Sequence, residues 1–373
     1  MRYRHAHVEL DPPSLGPWLD GWKDAGPHAG ALALLPESQA RHVPFLQAAF
    51  RERGLALVGA IFPALVTDEG FSTTGAWLLG FDAMPPAFLL EGLGRDGRAD
   101  AAKLAEAART HCLRSPGEPA PTLFLVFDAM IPDIASTLLG VFGEIRDTVR
   151  YAGVNAGSET FRPLPCLFDG ERVVSDGVLG LSLEETPVVV KHGYPVAKTL
   201  MRATSTTGNR IRLIDGRRAM DVYREVIRAD FGVDLTHGNF YDYAVHFPFG
   251  VISAADVVVR IPVAFEDDGS IACVGEVPPE SMLRLLRAPS LDESPCVDAI
   301  AGALPAAPGR GPLLAFYCAG RRMHLGGDAA TELSRLRQAT GASALVGALS
   351  LGEIGIFEGT GIPQFHNAAL VCA

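Results

Sequence analysis

The chain has 373 residues, of which 48% are hydrophobic; this predicts a folded protein with two domains or one large repeated unit and excludes disorder. Its formal net charge of −11 at pH 7, without any stripe of Lys or Arg, disfavours a nucleic-acid backbone or an anionic membrane as a partner. No apolar run reaches the roughly 18 residues of a membrane span, and the N-terminus lacks the apolar core of a signal peptide, so we expect a cytoplasmic protein.

The first unit of regular structure follows a leader segment of residues 1–27. Gly30–Leu35 is an apolar strand, and Ser38 is the predicted N-cap of the helix that comes after it. Leu55–Phe62 is a buried strand. A loop rich in Gly, Ser and Thr then leads to another strand, Ala76–Phe81. The order of the elements is therefore β-α-β-β.

The second unit repeats this order. Thr122–Phe127 is an apolar strand, and Pro132 stands where proline begins a helix. The strand after this helix is Val149–Asn155. A hairpin with its turn at residues 169–170, an Asp-Gly pair, completes the unit.

The third unit lies at residues 312–373. It begins with the strand Pro312–Cys318 and continues with a helix over residues 320–341. Two more strands follow, Ala344–Gly355 and Gln364–Val371. Three such units predict an α/β (α+β) fold in which repeated β-α-β-β units form mixed sheets packed with helices.

One glycine recurs at the same place in all three units, on the strand that follows the helix. These residues are Gly59, Gly153 and Gly347, each flanked by small or aliphatic residues. Such a glycine indicates either close backbone packing or room for a ligand against the strand. We favour packing, because repeat geometry alone can require it.

Two segments lie outside the repeats. Residues 83–121 contain a loop and an amphipathic helix. Residues 187–304 hold predicted strands at 188–191, 200–204, 211–214 and 257–265 and predicted helices at 217–229, 280–287 and 291–304, followed by a linker near 305–312. We place the boundary between two domains after residue 216, which gives domains of residues 28–216 and 217–373.

A glycine motif precedes the amphipathic helix. Gly92, Gly94 and Gly97 match the G-x-G-x-x-G pattern of dinucleotide sites, where glycines let the backbone approach a pyrophosphate. However, the apolar stretch before it, Ala87–Leu90, is too short for a central strand, and Asp128, the acidic residue that ends the next strand, is about 30 residues past Gly97, beyond the usual spacing of about 20. We therefore favour a glycine-rich loop that enters a surface helix, and a nucleotide-dependent enzyme remains an alternative.

No pattern of nucleophile or metal ligands is visible. The six cysteines form no C-x-x-C pair and are expected to be reduced, and the histidines have no metal-ligand spacing. Cys318 ends a buried strand, where an inert core thiol is favoured over a nucleophile. His192, His324 and His366 are the histidines that we consider as ligand contacts. The chain is expected not to be an enzyme, with a thiol enzyme as an alternative.

Glu353 stands between Gly352 and Gly355 on an otherwise apolar strand. A carboxylate in such a place costs free energy unless it is paired, and Arg321 or Arg322 is the predicted partner. The pair is either structural or binds a zwitterionic or carboxylate ligand, and both readings stay open.

The C-terminal part of the sequence resembles a known family. The segments Ala315–Arg321, Gly352–Gly355 and Phe365–Asn367 together look like the C-terminal half of FIST domain proteins. Tyr151–Gly157 and His192–Val196 are similar, more loosely, to the N-terminal half of that family. The resemblance covers residues 28–373 and identifies the two predicted domains as FIST N-terminal and FIST C-terminal domains.

The resemblance implies a sensory module of bacterial type that binds a small ligand such as an amino acid. It also implies signalling partners that include histidine kinases and cyclic-di-GMP enzymes, on which the chain would act in trans. One branch of the family binds haem and responds to nitric oxide. If the chain belongs to that branch, His192 is the candidate axial ligand.

We therefore predict a cytoplasmic signal-transduction protein that binds a small molecule, with a haem-binding nitric oxide sensor as the alternative. The candidate ligand-binding residues are His192, Tyr194, Asn155, Arg321, Glu353, His366 and Asn367. The cofactor is left open, with haem as one option, and no metal site is expected.

Overall fold

The computed structural model describes the chain except for residues 1–2, 23–25, 27, 95, 113–117, 185, 196–197, 237, 254–255, 306–310 and 357–360. Val196 of the quoted motif, His237, Arg95 of the glycine motif and most of the 305–312 linker lie outside the described residues. Helices account for 29% and strands for 35% of the structure, which confirms the mixed α and β fold class.

The strands are β1 (Arg4–Val8), β2 (Gly30–Pro36), β3 (Ala56–Phe62), β4 (Leu65–Thr67), β5 (Gly70–Ser72), β6 (Ala76–Phe81), β7 (Ala87–Leu90), β8 (Thr122–Asp128), β9 (Arg150–Ala156), β10 (Leu167–Asp169), β11 (Val173–Val174), β12 (Val178–Leu183), β13 (Val189–Lys191), β14 (Met201–Thr207), β15 (Arg210–Ile214), β16 (Arg217–Arg218), β17 (Phe249–Ser253), β18 (Asp256–Arg260), β19 (Pro262–Phe265), β20 (Ile271–Cys273), β21 (Met282–Leu285), β22 (Leu313–Cys318), β23 (Leu345–Ser350), β24 (Glu353–Ile356), β25 (Pro363–His366) and β26 (Leu370–Cys372). The helices are α1 (Pro12–Asp20), α2 (Val43–Arg51), α3 (Gly97–His111), α4 (Ile134–Ile145), α5 (Ala219–Phe231), α6 (Phe240–Ala244), α7 (Cys296–Ala303), α8 (Ala319–Leu325) and α9 (Asp328–Thr340).

Three sheets are built on one plan. Each has a parallel pair at its centre, namely β2–β3, β8–β9 or β22–β23, and helices connect the two strands of the pair. The first strand of each pair is flanked by an antiparallel strand from the same unit: β6, β12 or β26. The three units predicted from the sequence are therefore present, and they share one topology.

Each unit also contributes a hairpin to the sheet of another unit. The β4–β5 hairpin of the first unit pairs with β23 of the third, β10–β11 of the second pairs with β3 of the first, and β24–β25 of the third pairs with β9 of the second. The exchange closes a ring of three, in which every unit completes the sheet of a neighbour. We call this ring the three-repeat body.

The core of the three-repeat body lies where the three sheets face each other. Phe124 of β8 and Phe62 of β3 both contact Phe316 of β22, with ring centroids 5.6 and 5.7 Å apart. All three rings are fully buried. Aromatic and aliphatic side chains from three sheets thus share a single interior, which stabilises the ring of units by burying apolar surface.

The recurrent glycines pack closely against the neighbouring strand. In the parallel pairs, Gly59 lies opposite Ala33, and Gly153 and Gly347 occupy the same register position in the other two units. A Cβ atom at Gly153 would lie 2.0 Å from the carbonyl oxygen of the opposite residue, and one at Gly347 would lie 1.8 Å from the oxygen of Ala315. The preference for packing over ligand approach is confirmed.

A Gly347→Ala substitution should therefore destabilise the protein by about 1–3 kcal/mol or more, because the strands must separate to admit the methyl group. Urea denaturation measures the change. Gly143→Ala is the matched control: this glycine lies in α4 with nothing within 4 Å of its added Cβ, so alanine should stabilise the helix slightly. Equal stability of the Gly347→Ala variant and the parent protein would contradict the close approach of β22 and β23.

A fourth sheet follows the second unit in the chain. Its strands run in the order β18-β17-β21-β14-β15-β20-β19, with β16 paired to β15, and we call it, with α5 and α6, the inserted sheet. It has its own hydrophobic core, in which Tyr223 of α5 contacts Phe240 and Phe249. The predicted domain boundary after residue 216 falls between β15 and β16 of this sheet.

Several predicted elements are corrected by the structure. Ser38 is not an N-cap: a 3₁₀ helix over Glu37–His42 precedes α2, and the Ser38 hydroxyl donates to the carbonyl of Thr73. The helix predicted at 280–287 is the strand β21, in which alternate residues Leu283 and Leu285 are buried between β14 and β17. Cross-strand pairing overrides the helix propensity of this short segment.

Other differences concern glycine and short loops. The predicted helix of the third unit is split into α8 and α9 at Gly326, which has a φ of 55°. The Gly, Ser and Thr-rich loop of the first unit contains the β4–β5 hairpin, and the helix predicted at 291–304 is limited to α7. In the part of the chain that the structure describes, we find no helix with the length and apolarity of a membrane span.

Candidate functional site

Four of the seven predicted site residues meet where the second and third units exchange strands. β24 pairs with β9 and β25, so that Glu353 lies opposite Val154 on one side and His366 on the other. The backbone N–H of Asn155 donates to the carbonyl of Gly352 at 2.8 Å. Asn155, Glu353, His366 and Asn367 are all buried in the structure.

Comparison of the three units shows that Asn155 and Glu353 are exceptions to the repeat. Asn155 lies two residues after the recurrent glycine, where the other units have Ile61 and Leu349. The position of Glu353 in its hairpin is filled by leucine in both other units. Aligning the repeats in sequence would have given this signal, and it points to a role that repeat packing does not require.

Glu353 is completely buried. The Ser350 hydroxyl donates to its Oε1 at 2.5 Å, and the backbone N–H of Ala369 donates to its Oε2 at 3.2 Å. Burial raises the pKa of Glu353 to about 7, although these two hydrogen bonds partly oppose the rise. The carboxyl group therefore titrates between its neutral and charged forms near physiological pH.

The predicted pairing of Glu353 with Arg321 or Arg322 is wrong. Arg321 donates to both carboxylate oxygens of Glu332, at 2.7 and 2.6 Å, because α8 and α9 fold back on each other at the glycine break. Arg322 pairs at 2.6 Å with Glu159 on the surface. Neither arginine is left to hold a carboxylate ligand beside Glu353.

The other three predicted site residues form a separate group around Arg321. Its guanidinium donates at 2.7 Å to the carbonyl of His192 and at 2.9 Å to the hydroxyl of Ser294. Tyr194 lies two residues after His192 in the chain, and its buried hydroxyl has no hydrogen-bond partner among the described residues. Through these hydrogen bonds Arg321 connects the segment that precedes the inserted sheet to the third unit. Its role is therefore structural.

The geometry of His192 does not fit an axial haem ligand. Its Nδ1 accepts the backbone N–H of Tyr194 at 2.9 Å, so the proton of a neutral ring is on Nε2. A histidine that binds a metal through Nε2 has the opposite arrangement, with Nδ1 donating. His192 also lines neither of the two cavities described below. The structure gives no support to the haem alternative at this residue.

A cleft of about 370 Å³ lies between the three-repeat body and the inserted sheet. One wall is formed by Asn155 and by the loop between β8 and α4, which includes Asp133. The opposite wall contains Val263, Val274 and Glu276 of the inserted sheet. We call this cavity the main cleft.

A smaller cavity of about 40 Å³ adjoins the main cleft, and we call it the side groove. The two share Phe161, Val263 and Val274 as lining residues. The side groove continues to Tyr241 of α6 and Met323 of α8, and it also includes Cys318 and Asn367. The predicted residues Asn155 and Asn367 therefore lie in two neighbouring parts of one site.

Asn155 and Asn367 differ in how their amides are satisfied. The Asn367 side chain accepts the backbone N–H of Ile261 at 3.3 Å and donates to the carbonyl of His366 at 2.9 Å. Asn155 is only 2% exposed, and its Oδ1 has no partner among the described residues. An unsatisfied buried amide costs about 1–3 kcal/mol, so its presence at a cleft points to a ligand that completes it.

Phe161 is a lining residue that sequence reasoning missed. Its φ of 52° is a strained conformation for a bulky residue, and the residue is 37% exposed and lines both the main cleft and the side groove. Such strain is characteristic of ligand clamps and active sites. No feature of the local sequence reports a positive φ at a phenylalanine, which is why the residue was overlooked.

Cys318 has the environment of an inert thiol. Burial raises its pKa well above the ordinary range, and its sulfur accepts the backbone N–H of Ala368 at 3.1 Å. A thiolate nucleophile needs the opposite shift. The described cysteines are all free and buried, and no group of three or more described residues could hold a metal ion.

The glycine motif has its own structural explanation. The carboxylate of Asp96 caps α3 by accepting the N–H groups of Arg98 and Ala99, at 3.1 and 3.3 Å. The apolar stretch before the motif is β7, which pairs with β12 at one edge of its sheet. The helix terminus that a pyrophosphate would need is thus already occupied, in agreement with the loop interpretation.

Comparison with known protein families matches nearly the whole length of the chain. Residues 32–217 match the FIST N domain, and residues 219–356 match the FIST C domain. A comparison with curated proteins finds no match. FIST domains are associated with sensory signal transduction and with the binding of small ligands. The chain therefore belongs to the family of FIST domain proteins.

Proposed function

We propose that the chain is a cytoplasmic sensor that binds a small organic molecule in the main cleft and acts in trans on a signalling partner, such as a histidine kinase or a cyclic-di-GMP enzyme. The observation that carries the proposal is the buried amide of Asn155, which lacks a partner for Oδ1 in a cavity of about 370 Å³. A ligand with an N–H or O–H group would supply that partner.

The position of the main cleft supports a signalling role. Its walls come from two parts of the fold, so a ligand that fills it contacts the three-repeat body and the inserted sheet together. The polar contacts that join these two parts include those of the Glu276 carboxylate with Ser136 at the start of α4. A ligand that binds better to one arrangement of these two parts shifts the population toward it, and a partner protein can recognise the result.

Replacing Asn155 with leucine is expected to raise the free energy of unfolding by about 1–2 kcal/mol, because it removes the unsatisfied amide and restores the residue type of the other units. It should also abolish ligand binding. Thermal denaturation measures the first effect, and native mass spectrometry of the purified protein measures the loss of any small molecule that accompanies the parent chain.

Asn367→Leu is the matched control for this experiment. The two asparagines are equally buried, but the amide of Asn367 has both of its hydrogen bonds. Its replacement should lower stability by about 1–3 kcal/mol, since two backbone groups lose their partners. If Asn155→Leu destabilises the protein as much as Asn367→Leu does, the amide of Asn155 is structural and the proposal fails.

A further inference from the structure

We propose that the ligand of the main cleft is a hydrophobic amine, that is, a molecule with an ammonium group, an apolar body and no carboxylate. This inference rests on the proposed function and specifies its ligand. It follows from the charges that line the main cleft, the engagement of Arg260, Arg321 and Arg322 by the protein itself, and the apolar character of the side groove.

The charged residues that line the two cavities are all acidic. Asp133 and Glu276 lie at the α4 end of the main cleft, and Glu159 lies at the side groove. Among the described lining residues there is no Lys, Arg or His. An ammonium group would find carboxylates at one end and the acceptor Oδ1 of Asn155 in the wall.

The cations behind the walls are engaged by the protein itself. Arg260 is 4% exposed and donates to the carbonyls of Glu276, Val259 and Phe365 at 2.7, 3.1 and 2.8 Å. Its guanidinium also lies 5.6 Å from the centroid of the Phe365 ring, a lining residue of the main cleft. Arg260 therefore holds the wall together and does not present its donors to the cavity.

The positive end of α4 is occupied as well. The Glu276 carboxylate accepts the backbone N–H of Ser136 at 2.9 Å and also its hydroxyl. This carboxylate sits where a ligand anion would bind to the helix N-terminus. Arg321 and Arg322 also pair with carboxylates of the protein, those of Glu332 and Glu159. Among the described residues that line the two cavities, a zwitterion would find no cation to pair with its carboxylate.

The apolar body of the ligand would extend from the main cleft, past the shared residues Phe161, Val263 and Val274, into the side groove, which at about 40 Å³ is too small to hold it alone. Three of its lining residues, Phe161, Tyr241 and Met323, are among the most exposed large apolar side chains in the described part of the chain. They lie at one opening, where the Tyr241 hydroxyl contacts the Met323 sulfur at 3.6 Å. Exposed aromatic and methionine side chains around a cavity are typical of sites that bind apolar groups.

The experiment compares three molecules of one shape: 2-phenylethylamine, phenylalanine and 3-phenylpropionate. Binding to the full chain is measured by isothermal titration calorimetry and by thermal shift. We expect the amine to bind at least tenfold more tightly than phenylalanine and the acid not to bind. The affinity for the amine should fall as salt is raised, because attraction to the carboxylates is screened.

Variants locate the two ends of the site. Asp133→Asn and Glu276→Gln should each weaken binding of the amine several-fold, whereas Asp298→Asn on α7, outside both cavities, should leave it unchanged. Met323→Ala should weaken binding of the amine as well. Equal or tighter binding of phenylalanine or of the acid would overturn the inference.

The result also separates this inference from the proposed function. If phenylalanine or the acid binds, and Asn155→Leu abolishes that binding, the ligand class is wrong but the main cleft is still a ligand site. If none of the three compounds binds, the hydrophobic amine is overturned. The proposed function fails in addition if Asn155→Leu destabilises the protein.

Discussion

Replacing Arg321 with methionine should lower the free energy of unfolding by about 3–5 kcal/mol, because the variant leaves the carboxylate of Glu332 buried without a counter-ion. Arg321 is 1% exposed and Glu332 is fully buried, and the carboxylate also accepts the Tyr317 hydroxyl at 2.6 Å. The lost donors to His192 and Ser294 add to the cost. Urea denaturation, monitored by circular dichroism, measures the change.

The adjacent residue supplies the control. Arg322→Met removes an ion pair with Glu159 that is exposed to solvent, so its cost should be no more than about 1 kcal/mol. The double variant Arg321→Met, Glu332→Leu should recover much of the loss, since it removes the isolated charge. Similar costs for the two single variants would show that the Arg321–Glu332 pair is not held in a desolvated interior.

Replacing Glu353 with glutamine should remove a pH dependence of stability worth about 2–3 kcal/mol between pH 5 and pH 8. In the folded protein the pKa of this carboxyl group is raised from 4.5 to about 7 by burial. Between those values the folded state retains a proton that the unfolded chain has released. The contribution of this carboxyl group to the free energy of unfolding is therefore complete at low pH, and it is lost as the pH rises through 7.

The measurement is the difference in unfolding free energy between the parent protein and Glu353→Gln at several pH values. Taking the difference cancels other titrating groups, such as His246 and His324, whose pKa values are lowered by burial and which act in the opposite direction. Glu225→Gln is the control, because an ion pair with Arg217 lowers the pKa of this exposed carboxylate, so it is ionised throughout the range. A constant difference for Glu353→Gln would mean that the carboxyl group is ionised in the folded state at all these pH values.

Local sequence patterns were enough to predict the parallel strands and most helices. The apolar runs at β2, β8 and β22, each followed by a helix and a glycine-bearing strand, gave the three units and the mixed α and β class. The exchange of hairpins between units was not predicted. Pairing between β4 and β23 joins distant parts of the chain, and no local pattern indicates which unit a short hairpin completes.

The sequence predicted several residues of the candidate site, but it did not predict how these residues are arranged. Asn155 and Asn367 stand in family-like segments, and the structure places both at the proposed site. The partner of Arg321 was assigned incorrectly, because the glycine break that brings Glu332 back to it was read as continuous helix. Which buried amide lacks a partner depends on the packing of four sheets, and it cannot be read from the order of residues.

The ring of exchanged hairpins has a consequence for biosynthesis. The β4–β5 hairpin leaves the ribosome early, but β23, with which it pairs, is made near the end of synthesis; Asp68 and the backbone of Leu345, which hydrogen-bond across this junction, are 277 residues apart. At about 5–20 residues per second, translation leaves that edge uncovered for roughly 15–60 s. Nascent chains cut short before β23 would expose open sheet edges, so they should need chaperones and be prone to aggregation.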